Sequence, residues 1–283
     1  MPGKTAAPCR HTGAPPDEII DLVATAVKTL ANDPEFLQSR GLTPQDFELA
    51  LPAAIQRIRG SSAADNVDRR QFLTALFRHM ANVGVITGFE VPQYGDDTVY
   101  RLYVEGFGSV AVIQKGCPDG AHSSVAWTAP EWAKETYLWW LCDSLQCEPG
   151  EHVAKGVNRL RNRFFSTEYV DTVDGVIFHN ATCATALRPC PKMVRAIEIN
   201  ERMVPPPCVW VMPERTVGID WNWDGSRVRR FPAVLLSAFG INVQEVALYT
   251  GYVGFSRGTG GTRTAISSRY GPGSSTTYRS VPR

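Results

Sequence analysis

The stretch that most constrains the fold is a β-hairpin. Residues 98–104 alternate strand formers, Glu105-Gly106-Phe107-Gly108 is a turn, and residues 109–115 form a second apolar run. Folding back at Gly106 fixes the register. Val99 then faces Ile113, and Asp97 faces Lys115. Side chains two apart share a face. An acid and a lysine therefore meet at the open end of the hairpin, with Asp96 and Asp119 flanking it.

Helices are expected before the hairpin. Residues 1–16 read as a loose arm. Asp17 caps a helix carrying Ile19, Ile20, Val23, Val27 and Leu30. Thr43-Pro44 is a second start signal. A third helix carries Phe72, Leu73, Leu76, Phe77 and Met80 and stops at Gly84. Residues 83–91 read as a strand. Residues 68–104 could close as a winged-helix-like unit.

After the hairpin, Thr128-Ala129-Pro130-Glu131 has the pattern of a capping box, which predicts a helix over 131–145. A second helix is expected over 151–165. Strands are expected at 173–178, 194–199, 208–212 and 243–249, and a helix at 231–239. From residue 256 Gly, Ser, Thr and Arg dominate, which predicts a flexible tail. The expected class is a mixed α/β or α+β sheet with flanking helices. The divisions are a helical region over 1–82, a core over 83–255 and a tail over 256–283.

Composition narrows the function classes. With 283 residues and 43% hydrophobic residues the chain can bury a full core. No run approaches the length of a transmembrane helix. Residues 1–12 lack the apolar centre of a secretory signal. Seven cysteines, an odd number, predict free thiols in a reducing cytoplasm. Neither a Walker loop nor a dinucleotide fingerprint is present, so no nucleotide cofactor is expected. Residues 225–283 hold eight arginines and a single acid, Glu245, in a chain whose net charge is +1. That asymmetry suggests a polyanion such as DNA; a solvated tail is the plain alternative.

The chemistry follows from the hairpin. Carboxylates beside a lysine are what metal-dependent phosphodiester hydrolysis needs: the acids hold a hard cation, and the lysine stabilises developing charge. Asp97, the hairpin and Ile113-Gln114-Lys115 together resemble the PD-(D/E)XK pattern of restriction-endonuclease-like proteins. Residues 115–120, 130–133, 173–177 and 188–192 add to a likeness spanning about residues 85–200. The resemblance implies a restriction-endonuclease-like core, Mg²⁺-dependent DNA cleavage and a homodimer. Asp97, Asp96 and Asp119 would hold the metal, and Asp97, Gln114 and Lys115 would form the catalytic centre.

One departure is plain. The acid of the triplet falls at position 113, which is Ile. A bulge could swing Gln114 inward. Alternatively Glu90, Glu105, Glu131 or Asp119 supplies the acid, or activity has been lost and a DNA-binding protein remains. A structural protein whose basic tail binds an acidic partner is the third reading. A surface ion pair is the bland account of Asp97 and Lys115.

Other candidates are Asp174 and Glu198, each at or within a predicted strand, as an alternative catalytic pair. Lys155, Arg159 and Arg163 fall at helical spacing, with Arg161 beside them, as a phosphate-tracking stripe. Arg227, Arg229 and Arg230 lie near Trp221 and Trp223. His179, Cys183 and Cys190, with His122 or Cys117, could ligate zinc, although the spacing is not that of a zinc knuckle.

Overall fold

The computed structural model describes residues 25, 27–30, 32–51, 66–92, 98–116, 127–141, 149–165, 173–179, 190–214, 225 and 228–280. Asp96, Asp97, Cys117, Asp119, His122, Cys183, Trp221, Trp223 and Arg227 lie outside them. Among the described residues no helix is long and apolar enough to cross a membrane.

The fold centres on one nine-stranded mixed sheet. In chain order the strands are β1 (Gly88–Glu90), β2 (Val99–Val104), β3 (Gly108–Lys115), β4 (Glu135–Leu141), β5 (Gly175–His179), β6 (Ile197–Ile199), β7 (Arg202–Val204), β8 (Cys208–Val211), β9 (Thr250–Gly258), β10 (Gly261–Gly271) and β11 (Ser274–Arg279). The sheet order is β1-β2-β3-β4-β5-β8-β9-β10-β11, and β6 and β7 pair separately. β3, β4 and β5 run parallel, as do β8 and β9; the remaining pairs are antiparallel.

Helices among the described residues include α1 (Pro34–Ser39), α2 (Asn66–Asn82), α3 (Pro149–Phe165), α4 (Arg230–Ser237) and α5 (Val246–Tyr249). α2 and α4 cover one face of the sheet and α3 the other. On one face Leu73, Leu76, Phe77 and Met80 of α2 and Phe231, Leu235 and Leu236 of α4 pack against Tyr100, Val112, Tyr137 and Trp139. On the other, Val153, Val157, Leu160 and Phe164 of α3 pack against Leu138, Trp140, Phe178 and Trp210. The described residues between 68 and 104 contribute to this common sheet and its cover.

The hairpin register is the expected one: Val99 pairs with Ile113, and the ladder runs without a shift to Val104 and Gly108. Gly106 turns the chain at φ +66°, where a side chain would be strained. α3, α4 and the Thr43 cap also fall where expected. Thr43 Oγ1 accepts the Asp46 N–H at 3.1 Å while the Asp46 carboxylate accepts the Thr43 N–H at 3.0 Å, and residues 44–51 are helical.

Five expectations are corrected. Of residues 83–91, expected as strand, only Gly88–Glu90 forms one, and the chain turns through Gly84 at φ +75° before it. Residues 135–141, expected as helix, form β4. The strand is buried along its whole length between the helix layers, so both faces are apolar and the period-2 signal disappears. The 256–283 tail is instead largely ordered: β9, β10 and β11 make an antiparallel meander through residue 279. Residues 243–249 hold α5 rather than a strand, and β9 begins after it. Residues 191–195 form a 3₁₀ turn, and strand begins only at β6.

Close packing fixes the parallel strands. A Cβ at Gly156 would come within 2.8 Å of the Trp140 ring. One at Gly175 would come within 2.6 Å of the Tyr137 ring and 2.7 Å of the Trp210 carbonyl. α3 and β5 therefore approach their neighbours as closely as glycine allows.

Candidate functional site

The parallel strands β3, β4 and β5 end together, and their carboxyl ends are where open α/β sheets place ligands. Residues 117–126, 142–148 and 180–189, which follow these ends, lie outside the described residues, as do 93–97 before β2. Lys115 closes β3, half-buried, beside Trp140 of β4. Ile113 is 2% exposed and belongs to the α3-side core, and Lys115, two residues on, shares its face.

Gln114 takes the opposite direction. The β2–β3 ladder has no bulge, so it points into the α2 side. There it is 3% exposed and its Oε1 accepts the Tyr100 hydroxyl at 3.0 Å. Burial pushes Tyr100 up to about 12, opposed by the charge of Arg70. Gln114 is thus occupied in the core and does not join Lys115. No acid takes the place of Ile113 by a register slip.

On the same α2 side, His179 ends β5 in full burial. Desolvation, followed by the charge of Lys192, lowers its pKa to about 3, so the imidazole is neutral. Among the described residues its Nδ1 has no hydrogen-bond partner, nor has the buried Trp139 Nε1, whose ring centroid lies 6.3 Å from that of His179. Lys192 is 2% exposed; its Nζ donates to the Pro206 carbonyl and lies 3.1 Å from Cys208 Sγ. Cys190 and Cys208 are both buried. Among the described residues no group of three or more His, Cys, Asp or Glu is arranged to hold a metal. His179 and Cys190 therefore do not form such a site by themselves, and Cys183 lies outside the described residues.

Asp174 belongs to the other end of the strands. It precedes β5, roughly 13 Å back along the strand direction from Lys115 and two strands across. Its Oδ1 pairs with Arg229 Nη1 at 2.8 Å and its Oδ2 accepts the Thr136 N–H at 2.7 Å. Beside it lies a carboxylate that sequence reasoning missed. Glu135, 6% exposed, accepts the backbone N–H of Arg230 at 2.7 Å and of Phe231 at 2.9 Å, capping α4, and also the Tyr137 hydroxyl at 2.8 Å. Burial, and then Glu135, raises Tyr137 well above the ordinary tyrosine range. This network ties α4 to the sheet. No local signal marks Glu135, because the amides it caps lie about 95 residues away in sequence.

Glu198 is exposed on β6, in the separate two-stranded sheet, and lines a small cavity of about 160 Å³ with Arg78, His79, Asn82 and Asn200. The pair Asp174 and Glu198 is thus divided between the end of the main sheet and a surface hairpin. Of the expected basic residues, Arg229 is spent on Asp174, with 10% of its side chain exposed. Arg161 Nη1 donates to the Thr262 carbonyl at 3.1 Å and ties α3 to β10. Lys155 is exposed on α3, which also carries Arg159 and Arg163, and Arg230 is exposed at the start of α4.

Comparison with models of protein families, with curated proteins and with solved structures gave no match.

Proposed function

We propose that this chain acts on DNA as a Mg²⁺-dependent phosphodiester hydrolase centred on the open end of the β2–β3 hairpin. The observation that carries the reading is the hairpin register. It brings Lys115 to the carboxyl end of β3, at the side from which residues 93–97 enter β2. In this reading Asp97, with Asp96 and Asp119, holds the metal, which polarises the phosphate when bound. Lys115 stabilises the charge that develops there. The mixed sheet flanked by helices is consistent with the restriction-endonuclease-like resemblance of residues 85–200. Lys155, Arg159 and Arg163 on α3 provide a cationic approach. A homodimeric, restriction-type enzyme is the form the resemblance implies.

A second reading has an observation of its own. Ile113 occupies the triplet's acid position and is packed into the α3-side core, where no ligand can replace it. That packing supports, as the second reading, a DNA-binding protein with this fold and no hydrolytic centre. Incubating the full chain with mixed plasmid and phage DNA, in Mg²⁺ and in EDTA, separates the two. Fragments that need Mg²⁺ support the hydrolase. Salt-dependent binding in EDTA with no fragments in Mg²⁺ supports the second reading. Absence of both removes DNA as the substrate.

A further inference from the structure

We infer that the exposed part of the second face of the β9–β11 meander, around Arg263 and Arg279, is a docking surface for the phosphate backbone of duplex DNA. The inference deepens the DNA reading above and shares its choice of polyanion. Alternate residues of the meander face the α3-side core: Val253, Phe255, Ile266 and Tyr270 are buried there. The intervening residues make a second face. β9 gives Tyr252 and Ser256, β10 gives Arg263, Ser267 and Arg269, and β11 gives Ser275, Thr277 and Arg279. None of these is buried.

Among the described residues of β9, β10 and β11 this face is basic and carries no acid. The last acid of the chain is Glu245, and it is engaged by Arg195 Nη2 at 2.7 Å. Arg279 pairs directly across from Ala265, one step along from Arg263, so these two guanidinium groups are diagonal neighbours. Arg269 lies six residues along β10 from Arg263, which is ~20 Å at the rise of a strand. Its Nη1 bonds the Ala247 carbonyl at 2.7 Å, and its guanidinium stands 5.8 Å from the Tyr252 ring centroid. Hydroxyls of serine and threonine lie between the arginines. Spaced guanidinium groups with interleaved hydroxyls are the donors a phosphodiester chain accepts. A span of ~20 Å matches about six base-pair steps of duplex. Pairing within a sheet holds the backbone that carries these donors, so the cost of ordering on binding falls on the side chains alone.

The test measures binding of the full chain to a short labelled duplex in EDTA over a salt series, where no hydrolysis intervenes. Arg263→Gln with Arg279→Gln spares the Arg269 tether to Ala247. We expect the slope of log K against log salt to fall by about 2, with affinity down about tenfold at moderate salt. Arg263→Lys with Arg279→Lys keeps the charge and should bind within a few-fold of wild type. Wild-type affinity and slope in the Gln pair, with an unchanged melting temperature, overturns the inference. So does a wild-type chain that binds no duplex at low salt. If the Gln pair does not fold, Arg279→Gln alone carries the test, and wild-type affinity and salt slope in that folded variant overturn the inference. Binding that responds to these arginines without Mg²⁺-dependent cleavage would count against the hydrolase alone.

Discussion

Gln114 and Lys115 are sequence neighbours that serve opposite layers of the molecule. Gln114 Oε1 accepts the Tyr100 hydroxyl at 3.0 Å beneath α2, while Lys115 stands on the α3 side at the strand end. An adjacent pair in a regular strand cannot share one centre, so the geometry leaves Lys115 as the only one of the two that can act beside a phosphate.

The Tyr100–Gln114 bond is then a stability element. Tyr100→Phe leaves a buried amide oxygen without its donor and should cost about 1–2 kcal/mol. Denaturant unfolding measures this. DNA binding and any cleavage should stay unchanged once the protein is folded.

Glu135 holds the first turn of α4 through two backbone amides and the Tyr137 hydroxyl. Glu135→Ala strips all three partners and should destabilise by roughly 3 kcal/mol or more. Glu135→Gln keeps one acceptor oxygen and should recover part of the loss. Urea midpoints of the two variants check the order.

His179 makes stability depend on pH. Its folded pKa of about 3 lies below the ordinary 6.5 because burial disfavours the cation. Between those values the unfolded chain binds a proton that the folded chain does not. Its contribution is therefore complete above about pH 6.5 and is lost as pH falls towards 3, with a slope of at most about 1.4 kcal/mol per pH unit. Unfolding midpoints from pH 7 to pH 4, beside His179→Gln, should show a shallower dependence in the variant.

Local patterns carried some of this architecture and not the rest. The hairpin was legible because alternation over residues 99–104, the turn at Gly106 and the apolar run after it admit one register. β4 was not, because Tyr137, Leu138, Trp139 and Trp140 are apolar on both faces, and a strand buried between two helix layers reads like a helix. The meander was hidden for the opposite reason. Its inward residues include Thr264 and Ser268, and the large apolar ones are separated by Gly, Ser and Thr, so its composition resembles a linker. At the site, Lys115 was found from local pairing. Glu135, Lys192 and the His179 environment were not, because their partners come from distant parts of the chain. The fate of Gln114 turned on a bulge that the ladder does not contain.

The most direct measurement compares wild type with Lys115→Ala for cleavage of duplex DNA at equal Mg²⁺, with binding measured in EDTA. The account predicts binding within a few-fold of wild type and a rate reduced by about a hundredfold or more. Cleavage by the alanine variant at the wild-type rate would contradict a hydrolytic centre at the end of β3.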